Sequence, residues 1–103
     1  MPDTQTLPVK EKEGATKKKY APQWKVLFHN DDKTSMEFVT WALIRFFALD
    51  SEKAYLVMME VHKTGIGLAG TYSQEVAELK MEQTISAART RKYPLKVTIE
   101  PAE

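Results

Sequence analysis

Side chains able to do chemistry gather in two places in this 103-residue chain, the run His29-Asn30-Asp31-Asp32 and, further on, His62. Carboxylate, carboxamide and imidazole groups supply hydrogen-bond acceptors, or a general base if a reacting partner stands beside them. No such partner is legible. The chain holds 0 Cys, no Ser on a nucleophile elbow, no Gly-rich phosphate loop followed by Lys and Ser or Thr, and no His-Glu-x-x-His. No catalytic residue is assigned and no enzyme is expected. A metal site drawn from His29, Asp31 and His62 matches no familiar ligand spacing, so neither a metal nor another cofactor is expected. Each group also has a plain structural reading. Asn30-Asp31-Asp32 suits a turn whose side chains bond their own backbone. His62 suits a core position satisfied by a carbonyl, and Met36, Met58 and Met59 suit gap-filling in a core.

The elements that would position these groups follow from periodicity. Trp24-Lys25-Val26-Leu27-Phe28 is a β-favouring run that stops at the polar cluster, which predicts a strand and then a turn. Thr34 and Glu37 stand three apart, a capping-box spacing, so a helix is expected to start near Ser35 with Met36, Val39, Leu43, Phe46 and Phe47 as its apolar stripe. Asp50 is the expected N-cap of a second helix, with Glu52 in its first turn and Ala54, Val57, Met58, Val61 and His62 on one face. Gly65, Gly67 and Gly70 flank Ile66 and Leu68, which reads as a short strand with close backbone approach. Ser73 and Glu75 open a third helix, facing inward through Ala77, Met81, Thr84, Ile85 and Ala88 and closed off before Pro94. Leu95, Val97 and Ile99 alternate with polar residues as a half-buried strand does. The order β-α-α-β-α-β predicts an α+β domain, with three antiparallel strands and three helices packed on one side.

Composition narrows the classes. With 43% hydrophobic and 28% charged residues the chain is that of one globular domain. Residues 1–22 are polar and rich in Lys and Glu, including Lys17-Lys18-Lys19, and are expected to form a flexible extension to a folded domain over residues 23–103. Charge is balanced, 15 Lys+Arg against 14 Asp+Glu, so no global field favours nucleic acid or an anionic membrane. No run resembles a signal peptide or a membrane span. Without Cys the expected compartment is reducing and cytoplasmic.

The motifs Asn30-Asp31-Asp32-x-Thr34-x-Met36-Glu37-Phe38-Val39, Ala54-x-x-Val57-Met58-x-x-Val61-His62, Gly70, Glu75-Val76-Ala77-Glu78 and Pro94-Leu95 resemble, in order, those of the ClpS family of Clp protease adaptors. The likeness runs over about residues 24–100, nearly all of the expected folded part. It implies a protein that binds N-degrons, meaning substrates beginning with Leu, Phe, Tyr or Trp, and delivers them to a ClpA-type AAA+ unfoldase of the ClpAP protease. Carried over by resemblance, the substrate α-amino group falls to Asn30, Asp31 and His62. The side-chain pocket falls to Thr34, Met36, Val39, Met58, Val61 and Leu95, with Met36 and Met58 crowding its entrance against β-branched residues. Contacts with the unfoldase N-domain fall to Glu75 and Lys80. The sequence departs from the family pattern at Lys33, where an aromatic often sits, at Ser35, where Pro is common, and at His29, where an apolar residue helps line the pocket. At the rim His29 would retune side-chain preference; alternatively it points away.

The residue types suit that task. A free N-terminus presents an ammonium with three donors beside one side chain, so its recognition requires acceptors converging where an apolar hole opens. Hydrogen bonds to a charged group contribute about 1.5 to 3 kcal/mol each, and burying a Leu or Phe side chain a similar amount. After the losses of association these sums correspond to roughly micromolar binding, weak enough for cargo release. A rival from another class remains at this stage, because the α+β layout also resembles the factor-binding C-terminal domain of the ribosomal stalk protein. That module requires no ammonium site. For the protease-adaptor reading a monomer is expected.

Overall fold

A computed structural model describes residues 22–103. Apart from Pro22, the extension expected over residues 1–22 lies outside the described residues. The elements run β1 (Gln23–His29), α1 (Met36–Phe47), α2 (Ser51–Thr64), β2 (Ile66–Ser73), α3 (Gln74–Thr90) and β3 (Lys96–Pro101). β1 lies in the middle of the sheet, antiparallel to β2 on one side and to β3 on the other. This is the α+β architecture expected from the sequence, with the helices on one face of the sheet.

Strand alternation separates the two faces. Val26 and Phe28 of β1 are fully buried under the helices, whereas Leu27 and His29 turn the other way and stand opposite Thr98 and Lys96 of β3. Phe28 meets Phe47 of α1 edge to face, with ring centroids 5.5 Å apart. Around that pair pack Leu43 of α1, Ala54 and Val57 of α2, Ala77 and Ala88 of α3, and Val97 of β3. Thr84 is the one fully buried polar residue of α3, and its hydroxyl is satisfied by donating to the Lys80 carbonyl at 2.8 Å.

Helix boundaries follow the predicted caps with one correction. Asp50 accepts from the backbone N–H of Lys53, and Ser73 from that of Val76, as expected. At α1, however, the cap is Ser35, whose hydroxyl accepts from Phe38 N at 3.0 Å. Thr34 is instead engaged by Asp31, so the Thr34–Glu37 box does not form. The buried stripe of α1 is correspondingly Phe38, Val39, Ala42, Leu43 and Phe47, leaving Met36 and Phe46 at its margins. In α2 the stripe Ala54, Val57, Met58, Val61 is buried as predicted, but His62 stands exposed at its edge rather than within it. β3 starts at Lys96, so Leu95 is buried in the approach to the strand.

Two glycines set how α2 meets the sheet. Gly65 closes α2 in the left-handed region, with φ of 95°, a conformation that costs a side-chain-bearing residue roughly 1 kcal/mol. Gly67 lets β2 lie directly against α2: a Cβ there would come 2.5 Å from Val61 Cγ2 and 3.2 Å from the Val57 carbonyl. β2 also carries a bulge opposite Val26 and Leu27, which brings Ala69 into the core.

Candidate functional site

β1 ends at His29, and the next residue is tied to the far end of α2. The backbone N–H of Asn30 donates to the carbonyl of Gly65 at 2.9 Å, and Gly65 N–H in turn donates to Val61 O at 2.9 Å. The last turn of α2, which carries Val61 and His62, is thus brought to the end of β1. Asn30 and His62 are both exposed there, and neither side chain hydrogen-bonds to any of the described residues. Two polar groups left open beside a buried apolar stripe are what an incoming ligand with donors requires.

Asp31 is differently employed. Its carboxylate accepts from Lys33 N at 2.7 Å, Thr34 N at 2.7 Å and the Thr34 hydroxyl at 2.8 Å. Burial opposes ionisation of this group, but those three bonds and the positive charge of Arg89 outweigh it, so its pKa falls below the ordinary carboxylate value. Asp31 therefore builds the β1–α1 loop, as its turn reading anticipated. A carboxylate has about four lone-pair sites, and three are used.

Arg89, on α3, links this loop to the opposite wall. Its guanidinium donates to the carbonyls of Tyr93 at 2.8 Å and Leu95 at 3.0 Å, fixing the segment that buries Leu95, while its charge acts on Asp31. Nothing in the local pattern marked Arg89, since a basic residue in a last helical turn is ordinary.

The residues assigned to the side-chain pocket divide. Val39, Met58, Val61 and Leu95 are buried members of one apolar cluster. Thr34 is half-buried and held by Asp31, and Met36 is 48% exposed at the start of α1. Met36 and Met58 also line a concave groove of about 540 Å³ between α1 and α2, continued by Trp41, Ile44, Tyr55 and Met59. Asn30, Asp31 and His62 do not line that groove. The sequence reading missed its outer wall because Trp41, Ile44 and Tyr55 fall outside the two apolar stripes; the i, i+3 spacing of Trp41 and Ile44 on α1 was the available signal.

His29 resolves its two alternatives. It points away, its Nε2 lying 2.8 Å from Thr98 Oγ1 on the outer face of the sheet. Burial first, and then the Lys96 charge, lower its pKa against a counter-pull from Glu100. Among the described residues no group of three His, Cys, Asp or Glu side chains gathers to hold a metal ion, and no helix is long and apolar enough to cross a membrane.

On α3, Glu75 is exposed in the first turn, with Val76 and Leu79 exposed beside it. Lys80 is partly withdrawn: its ammonium donates to the Phe46 carbonyl at 2.7 Å and lies over the rings of Tyr72 and Phe47.

Residues 19–98 match the model of the family described as ATP-dependent Clp protease adaptor protein ClpS. The chain is 45% identical over 92 residues to the ClpS adapter of Desulforapulum autotrophicum, covering 89% of this chain and 84% of that one. It is 45% identical over 87 residues to that of Roseobacter denitrificans, covering 84% and 77%. Its structure resembles Agrobacterium tumefaciens ClpS2 bound to L-phenylalaninamide, with a TM-score of 0.77 and 30% identity over 80% of this chain and 99% of the other. The chain belongs to the ClpS family of Clp protease adaptor proteins. The curated relatives are named as adapters, not as enzymes, and the stalk-protein reading draws no support from these matches.

Proposed function

We propose that this chain is a cytoplasmic, monomeric, non-enzymatic adaptor that captures proteins by a free N-terminal Leu, Phe, Tyr or Trp and delivers them to a ClpA-type unfoldase. The observation that carries this reading is the backbone bond from Asn30 to Gly65, which brings Asn30 to the turn of α2 that carries His62, with both side chains unpartnered among the described residues and Val39, Met58, Val61 and Leu95 together in the buried core. Asn30 and a neutral His62 accept from the ammonium, and the remaining acceptor capacity of Asp31 adds a negative field. The first side chain enters among the apolar residues, with the mobile thioethers of Met36 and Met58 at the entrance. The ligand of the Agrobacterium relative supports this, because L-phenylalaninamide carries a free α-amino group, one aromatic side chain and an amide in place of the next peptide bond.

Delivery falls to α3. Glu75, Val76 and Leu79 offer an exposed mixed patch for the unfoldase N-domain, and Lys80 contributes its stem and remaining donors from a half-buried position. The deciding experiment compares a Leu-starting peptide with its N-acetylated form by titration calorimetry. Acetylation removes the charge and two donors, so binding should vanish; equal affinity for the two peptides would refute the assignment.

A further inference from the structure

Beyond Met36 and Met58, the groove between α1 and α2 has no task in capturing a single N-terminal residue, yet its walls are apolar and open to solvent. Ile44 is 41% exposed and Tyr55 53% exposed, while the lining carries one charge, that of Glu37. Trp41 forms a braced wall rather than a loose surface residue. Its indole meets the Phe46 ring nearly edge-on at 5.6 Å and stacks under the Arg91 guanidinium at 4.8 Å. Holding so much apolar surface in a fixed concave shape costs solubility and calls for an occupant.

We infer that this groove receives the side chains at positions two to four of the captured substrate, selecting N-degrons whose first residue is followed by apolar ones. The inference rests on the degron reading above and adds a second specificity element to it. Three features favour the substrate segment. The groove is continuous with the proposed pocket, because Met36 and Met58 belong to both. From Met36 to Ile44 the groove follows α1 for about 12 Å, a distance that an extended chain covers in about three to four residues. Its volume of about 540 Å³ fits a few side chains, whereas a second folded copy of this chain would require a broad flat face of roughly 800 Å². Glu37, next to Met36, offers an acceptor to a peptide N–H entering the groove.

The test uses the full chain and two fluorescent peptides with one common polar tail, Leu-Ser-Ser-Ser and Leu-Ile-Phe-Ile, the second also in N-acetylated form. The wild type should bind Leu-Ile-Phe-Ile at least about five-fold more tightly, since a part-buried apolar side chain contributes on the order of that factor. In the double variant Ile44→Gln, Tyr55→Gln the gap should fall below about two-fold with Leu-Ser-Ser-Ser affinity unchanged. Both positions are exposed, so the variant should remain folded, which a thermal melt checks. Equal wild-type affinities for the two free peptides would overturn the groove inference and leave the degron reading standing. A gap that survives in the double variant would overturn it as well. Undiminished binding of the acetylated apolar peptide would make the groove a non-specific apolar sink, and failure of both free peptides to bind would sink the degron reading and this inference together.

Discussion

The backbone amide of Asn30 donates to the carbonyl of Gly65 at 2.9 Å, and this bond sets the end of β1 beside the last turn of α2. It brings Asn30 to the turn of α2 that carries His62 without consuming either side chain's polar group. Asn30→Ala and His62→Ala are each expected to weaken a Leu-starting peptide about ten-fold or more, the loss of one hydrogen bond to a charged group. Because both residues are exposed, melting temperatures should move by no more than about 2 °C. Calorimetric titration alongside thermal melts separates the two effects, and full affinity in either variant would remove that residue from the ammonium site.

His29 gives a pH signature that is independent of binding. Burial and the Lys96 charge lower its pKa from 6.5, so the unfolded chain takes up a proton that the folded chain resists. Its contribution to stability is fully present above pH 6.5 and is lost as pH falls through the lowered folded value. The depressed Asp31 pKa acts in a separate, more acidic window, with its contribution lost only as pH falls below 3.8 and through the folded value. Denaturant titrations of His29→Leu between neutral pH and pH 5 should show a flatter stability profile than the wild type. Because His29 lies on the outer sheet face bonded to Thr98, the same variant should bind a Leu-starting peptide unchanged. An altered preference among bulky N-terminal residues would show that His29 reaches the pocket after all.

Gly67→Ala tests whether close packing of β2 on α2 supports the site. The new methyl would stand 2.5 Å from Val61 Cγ2 with the Val57 carbonyl behind it, so α2 must shift or Val61 must turn. Overpacking of this kind costs about 1 to 3 kcal/mol. A melting temperature lower by several degrees is expected, together with weaker peptide binding, since Val61 and His62 move together. An unchanged melting temperature would show that the contact is softer than the packing implies.

Which parts of this design could be read in the chain itself follows from how local each signal is. The caps at Asp50 and Ser73, the buried faces of α2 and α3 apart from His62, and the break before Pro94 are set within one helical turn, and they appear where expected. At α1 two hydroxyl residues stand side by side, and local rules do not choose between them. The choice is made by Asp31, which takes the Thr34 hydroxyl and leaves Ser35 to cap. The meeting of Asn30 with the end of α2 and the reach of Arg89 to Leu95 depend on the packed sheet and have no periodic signature. The groove is of the same kind: Trp41, Ile44 and Tyr55 become a surface only when α1 and α2 lie side by side.

The two methionines assigned to the pocket entrance differ in what their removal would do. Met58 is 7% exposed within the core, so truncating it would open a cavity costing about 2 to 5 kcal/mol and confuse binding with stability. Met36 is 48% exposed, so its side chain can be cut back with little loss of packing. If its thioether crowds the entrance, Met36→Ala should admit peptides beginning with Ile or Val, whose branched Cβ requires width close to the backbone. Fluorescence polarisation on Leu-, Ile- and Val-starting peptides should then show the Leu preference reduced to within a few-fold, with the melting temperature close to that of the wild type. Discrimination retained at the wild-type level would mean that the entrance is shaped by the buried side chains of Val39, Val61 and Leu95, and that Met36 belongs to the α1–α2 groove alone.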